Sequence, residues 1–381
     1  MLLYGYGLIR PATESLFLEQ YDSALLPAAW IAVAAFAGAS VFAYTSLVTH
    51  FSLPNLLVIG AILNASLLII LEILRARLWS DSVFALYIWK DVYIVMMLEI
   101  VWSWAHVVFL ATTARWAYGL FCAAGSLGSI SGNLTVGILA NHFGTSSSLL
   151  FALPLFAVII WITTWPASQK VQYRFIQAKR EPESLKLRPS SRHYLLLILA
   201  LVITVQLVIT WIDFLYNQAL EQHYPNVDGR TAMAGRVYAT IDGLALVLQL
   251  GTGILVRVFS LPGVLVAIPS MVGTTVLALL AWPGFFSAAS TKTISKAMDY
   301  SLLKASKEML YLPLNYGEKT RAKALIDMFG YRSAKGAASL LLLLLISAVP
   351  SPTLAALTVL GVALWWALAF HLGRHYPKST Q

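Results

Sequence analysis

Apolar residues in this chain fall into long, nearly unbroken blocks, each close to the ~20 residues a helix needs to cross the hydrocarbon core of a bilayer. Twelve such blocks can be drawn, at 1–18, 25–47, 53–74, 83–110, 115–141, 146–166, 193–219, 230–257, 261–281, 284–313, 322–348 and 352–374. Ionisable residues interrupt them on a count of three. The first block holds Arg10 and Glu14, the fourth Lys90, Asp91 and Glu99, the seventh Asp213, and the tenth a run from Lys292 to Glu308. A charge at mid-bilayer depth is expensive unless it faces a polar cavity, so these four blocks are expected to line one. The sixth, ninth and twelfth blocks carry no Asp, Glu, Lys or Arg in their interiors and the third only Glu72 near its end, as expected of helices that face lipid.

Composition agrees. Hydrophobic residues make up 59% of the chain and charged residues 11%, with a mean hydropathy of +0.75, which excludes an ordinary soluble domain with about 25% charged residues. Twelve spans nearly exhaust 381 residues and leave no room for a soluble catalytic domain. The net charge of +9 does not point to nucleic acid, because Lys and Arg gather in a few loops, as cytoplasmic segments of membrane proteins do. The N-terminus lacks a basic stretch and a small-residue cleavage site, so it is expected to be a retained first span. The single Cys122 allows no intrachain disulfide.

The one long polar segment, Ala167 to Arg192, carries Lys170, Arg174, Lys179, Arg180, Lys186, Arg188 and Arg192 and is expected in the cytoplasm, with both termini on the same side. Arg115, Arg257, Lys319, Arg321, Lys323, Arg374 and Lys378 agree with that orientation; Arg75 and Arg77 oppose it. The string Phe51-Ser-Leu-Pro54 opens the third block and recurs as Phe259-Ser-Leu-Pro262 at the ninth. A repeat at the equivalent turn of each six-block half fits parallel repeats about an axis along the membrane normal. The expected fold is therefore an all-α membrane protein of twelve transmembrane helices in two pseudo-symmetric six-helix bundles, the major facilitator architecture. Its bundles would be 1–166 and 193–381, joined by the basic linker 167–192. That superfamily's usual basic signature between helices two and three is absent, since the turn reads Thr49-His-Phe-Ser-Leu-Pro54.

Each charged group has two readings. Lys292, Lys296 and Asp299 share one helical face, with Lys292 roughly 12 Å into the membrane; they form either a substrate or proton site, or a structural ladder in which Asp299 pairs with Lys296. Lys90 and Asp91 either neutralise each other or bind solute. Glu99 has no basic neighbour on its own helix and is expected as a buried carboxylate able to take up a proton. Arg10 and Glu14 pair at i, i+4, and Arg10 either holds a carboxylate or phosphate or snorkels to the surface. Asp213 and Asp242 are either proton sites or ties to a helix end. Gly125, Gly128 and Gly132, with Gly251 and Gly253, fit small-residue surfaces for close helix approach. No G-x-x-x-x-G-K-[ST], HExxH, CxxC or nucleophile-elbow string occurs, so no cofactor and no enzyme chemistry are expected.

The stretch Ile294-Ser-Lys-Ala-Met-Asp-Tyr-Ser-Leu-Leu-Lys-Ala-Ser-Lys-Glu-Met-Leu-Tyr-Leu-Pro-Leu314, continuing through Arg321 to Asp327 and Ala334-Lys335-Gly336, resembles the nucleotide transporter family, the ATP/ADP translocases of plastids and intracellular bacteria. Lys307, Glu308, Lys323, Asp327 and Lys335 fall on matching positions. Glu99 resembles the family's acidic position in helix four, and Asp242 with Gly243 its Gly-Asp stretch. At Arg10-Pro-Ala-Thr-Glu-Ser-Leu16 the family has R-D-T-K-D-x-L; Arg10 and Glu14 keep the pattern, while Thr13 replaces a lysine expected to contact nucleotide phosphates. Asp299 and Lys304 exchange the family's Lys and Asp. The resemblance implies the fold and the transporter class, and through them nucleotide exchange.

The resulting expectation is a monomeric, secondary-active, alternating-access transporter in a bacterial inner membrane, moving an anionic small solute between its halves. Arg10, Glu14, Lys90, Asp91, Lys292, Lys296 and Lys307 would contact solute; Glu99, Asp213, Asp242, Asp299 and Glu308 would couple protons or form ion pairs. Alternatives are a transporter of a carboxylate-bearing or zwitterionic solute or a lipid, and a non-transporting scaffold with a transporter fold.

Overall fold

The apolar blocks fold as helices. The computed structural model describes residues 1–77, 79, 81–108, 111–165, 189–314, 326, 330–346 and 349–376; most of the basic segment between the sixth and seventh blocks, together with Lys319, Arg321, Lys323, Asp327 and Lys378, lies outside them. In chain order the helices are α1 (Leu2–Tyr21), α2 (Leu26–Leu47), α3 (Leu53–Ala76), α4 (Asp81–Val108), α5 (Ala111–Phe143), α6 (Thr145–Leu150), α7 (Leu153–Thr164), α8 (Pro189–His223), α9 (Val227–Ala281), α10 (Phe285–Met298), α11 (Lys304–Leu310), α12 (Tyr331–Ile346) and α13 (Ser351–His375). No strand occurs among the described residues.

Three boundaries have local causes. Ser52 caps α3 by accepting a hydrogen bond from the Asn55 amide, with Pro54 in the first turn where its missing N–H costs nothing. At the recurrence of the same string α9 breaks, with Ser260 at φ 58° and Pro262 just beyond; the 55 helical residues of α9 therefore contain both expected blocks, 230–257 and 261–281. The tenth block is likewise composite. A five-residue π turn, Asp299–Leu303, separates α10 from α11, and the Tyr300 carbonyl receives a hydrogen bond from Gln249. Such wide turns recur at functional sites.

Seven helical stretches among the described residues are long and apolar enough to cross a membrane. Those that fall short include α1 and α4, which carry Arg10, Glu14, Lys90 and Asp91, and α10, which has only 14 residues. Outward-facing positions are instead strongly apolar: Phe42, Leu250, Ile254, Trp282 and Leu360 are each at least 66% exposed. Buried polar groups and exposed large apolar ones together invert the order of a water-soluble protein, as a lipid solvent requires.

The chain packs as two compact units. The first comprises Met1–Asp22, Ala35–Arg180 and Tyr224–Thr240. Here α1 packs on α5, α4 and α6, and α3 on α4 and α7. Glycine makes the α1–α5 contact possible: a β-carbon at Gly132 would collide with the Tyr4 carbonyl oxygen, and one at Gly7 would lie 2.8 Å from the Asn133 amide nitrogen. The start of α9 joins this unit through Gly235, whose missing side chain admits the Asn133 carbonyl. Buried Arg230 donates to the carbonyls of Ser15, Tyr224 and Pro225, and Asp228 accepts from both the amide and the hydroxyl of Thr145. The second unit comprises Ser23–Ala34, Glu181–His223 and Ile241–Gln381. There α8 packs against α10, α12 and α13 around Leu201, Val205, Val208, Ile212 and Trp365.

Gly125 and Gly132 serve the close packing expected of them, whereas a β-carbon at Gly251 or Gly253 would meet nothing within 4 Å among the described residues. A helix surface uses small residues only where another backbone approaches, and none does here. Gly132→Val is accordingly expected to cost about 1–3 kcal/mol through overpacking, read as a lower unfolding midpoint in detergent, while Gly251→Val leaves the midpoint nearly unchanged.

Candidate functional site

Ionisable side chains from the period-three blocks collect into one cluster in each unit. In the first unit, Arg10 and Glu14 project from one face of α1, with Arg10 Nε 3.4 Å from Glu14 Oε1. Lys90 of α4, only 1% exposed, reaches Glu14 Oε1 at 3.6 Å and Asp91 Oδ2 at 3.0 Å. Three tyrosines complete the cluster. Tyr6 donates to Asp91 at 3.0 Å, the Tyr87 ring lies 4.1 Å from Lys90 Nζ, and Tyr238 of α9 donates a short hydrogen bond to Glu14 Oε2 while its ring stacks 3.8 Å from the Arg10 guanidinium carbon. Among these described side chains two cations face two carboxylates.

The second unit repeats the theme. Asp213 of α8 accepts from Lys296 at 2.8 Å through Oδ2 and faces Lys292 at 3.6 Å through Oδ1, both lysines coming from α10. Lys292, 1% exposed, rests 4.0 Å from the Tyr216 ring centroid. In both units, then, a fully buried ammonium lies on an aromatic face beside a carboxylate from another helix. The ring supplies electron density without adding net charge. The balance nevertheless differs, for Asp213 shares itself between two ammoniums. Lys335 of α12 adds a third positive charge to its surroundings, and Asp299 a second negative one.

Several expectations are corrected here. Lys296 pairs across helices with Asp213, not along its own helix with Asp299, because α8 presents its carboxylate to the face both lysines share. Asp299 is half-buried at the start of the π turn. Glu99 is not a buried carboxylate: it is exposed on α4, since nine residues at 100° each carry it to the face opposite Lys90. Asp242 on α9 and Lys307 and Glu308 on α11 are half-buried. Tyr6, Tyr87, Tyr216 and Tyr238 were not anticipated. Helical spacing from Arg10, Lys90 and Asp213 marks the first three; Tyr238 comes from a distant helix and has no local signal.

Lys90→Ala should cost about 3–5 kcal/mol, because Glu14 and Asp91 would keep their buried charge without its partner. Lys90→Met combined with Glu14→Gln should recover most of that loss, as read by a double-mutant cycle on thermal unfolding in detergent.

Residues 262–376 match the TLC ATP/ADP transporter family. Over 311 aligned residues the chain is 24% identical to ADP,ATP carrier protein 1 of Chlamydia trachomatis, covering 70% of this chain and 58% of that protein. It is 23% identical to ADP,ATP carrier protein 1 of Chlamydia pneumoniae, covering 84% and 72%. The chain thus spans less than two thirds of the first of these relatives. In structure it superposes on the nucleoside transporter NupG with a TM-score of 0.67 at 12% identity, covering 99% of this chain and 98% of that one. The apolar helices make this a multi-pass membrane protein, and its fold is the one seen in that transporter. The last third of the chain is thus similar to the TLC ATP/ADP transporter family, and a larger share of it to the chlamydial carriers.

Proposed function

We propose that the chain is a secondary-active, alternating-access transporter of an anionic small solute, of the nucleotide or phosphorylated-metabolite kind. Its twelve spans would form two pseudo-symmetric halves, 1–166 and 193–381, joined by the basic linker 167–192, with both termini cytoplasmic in an inner membrane. The observation that carries this reading is the buried pair Lys292 and Lys296 sharing the Asp213 carboxylate, with the charge of Lys335 also reaching it and Asp299 the nearby second acid. A membrane protein keeps such a cation excess at depth where an anion comes to meet it. The likeness to ADP,ATP carriers supports the nucleotide class. Lys292 and Lys296 would hold the anion within the second unit.

A second reading draws on the first cluster, where Arg10 and Lys90 are matched by Glu14 and Asp91, and on Thr13 standing in place of the family's lysine. That balance suits a carboxylate-bearing or zwitterionic solute better than a highly charged one. Proteoliposomes decide between them. Labelled ADP should exchange against internal ADP, and the double variant Lys292→Ala/Lys296→Ala should lower the rate at least about tenfold, the loss of roughly 1.4 kcal/mol of binding, while inserting normally. Absence of ADP exchange alongside movement of a zwitterion would favour the second reading.

A further inference from the structure

We infer that Asp213 occupies the place of the solute's anionic group at Lys292 and Lys296, and that it must take up a proton before that group can bind. This rests on the anionic-solute reading and adds to it the coupling group and the coupled ion.

Three features of the geometry support it. One carboxylate spans two ammoniums, Oδ2 at 2.8 Å from Lys296 and Oδ1 at 3.6 Å from Lys292, the arrangement a solute's phosphate or carboxylate would adopt there. Asp213 Oδ1 is also buried yet accepts no hydrogen bond among the described residues. A proton can therefore be added at that oxygen without displacing a donor. Finally, Lys292 keeps the Tyr216 face at 4.0 Å as a second partner when the carboxylate is neutralised.

Glu14, the equivalent acid of the first unit, makes the contrast. Arg10 and Lys90 engage its Oε1 and Tyr238 its Oε2, so neither oxygen is left without a donor. The other titratable groups around Asp213 are Lys335 of α12, which faces it with its charge, and Tyr331, Tyr300 and Asp299, which surround Lys296. The histidines of α13, His371 and His375, group with His193 at the far end of α8, twenty residues away and so roughly 30 Å along the helix.

The step balances simply. A proton from bulk water on the open side converts the Asp213 carboxylate to the acid, the Lys292 and Lys296 N–H groups turn from it to the oxygens of the arriving anion, and no electrons move. Release reverses both changes. One proton accompanies each anion through the cycle.

The test uses the purified full chain and sodium sulfate, a dianion whose charge does not change across the working range. In weak buffer with a pH-indicator dye, wild type should take up about one proton per sulfate bound, and its affinity should fall by up to about tenfold per pH unit once Asp213 is ionised. Asp213→Asn should bind sulfate without proton uptake and with a flat pH profile. Asp213→Glu should restore uptake, its profile displaced in pH, and it stands in should the Asn variant fail to fold. Sulfate binding by wild type without proton uptake, uptake that persists in Asp213→Asn, or no sulfate binding at all would each overturn the proposal. Proton-linked sulfate binding without ADP exchange would remove the nucleotide reading and leave the role of Asp213 standing.

Discussion

An ammonium deprived of water must be matched by something other than water, and the interior of this protein is arranged around that requirement. Lys90 and Lys292 are each 1% exposed. Each is met by a carboxylate from a neighbouring helix at 3.6 Å and by a tyrosine ring at about 4 Å. Removing either partner would leave a buried charge uncompensated, so the helices bearing them are obliged to stay in register. This is the physical setting in which the ionisable residues of α1, α4, α8 and α10 are kept inside an apolar chain.

The two clusters solve the same problem to different degrees. Around Glu14 every charge has its complement, and Tyr238 adds a further hydrogen bond; the result is a saturated network that ties the start of α9 to α1. Around Asp213 the lysines outnumber the nearby acids, and among the described residues one carboxylate oxygen accepts no hydrogen bond. A satisfied network rigidifies, and an unsatisfied one is poised to accept something. The π turn at Asp299–Leu303 directly after Lys296 belongs to the same pattern, because it stores an irregularity next to the groups that would have to move.

Much of the helical layout could be read from the residues because it depends on local rules. Block length follows from bilayer thickness, the break at Ser260 from the repeated Phe-Ser-Leu-Pro string, and the Arg10–Glu14 pair from i, i+4 spacing. Errors arose wherever the deciding partner was remote. Lys296 looked matched to Asp299 three residues on, but Asp213, on another helix, lies closer to its charge. Glu99 looked buried because its block was apolar, yet exposure depends on which side of α4 meets a neighbour. Gly132 and Gly251 are chemically identical, and only the first has a backbone against it.

The sequence by itself determined that the chain lives in a membrane, where its helices run, and which few side chains carry charge into the apolar interior, since these follow from the cost of placing polar groups in hydrocarbon. The tertiary structure alone decided which carboxylate answers which lysine, that tyrosine faces share the load, and that the second cluster is the less satisfied of the two. Coulombic pairing falls off over a few ångströms, and distances that short between helices are set by packing, not by position along the chain.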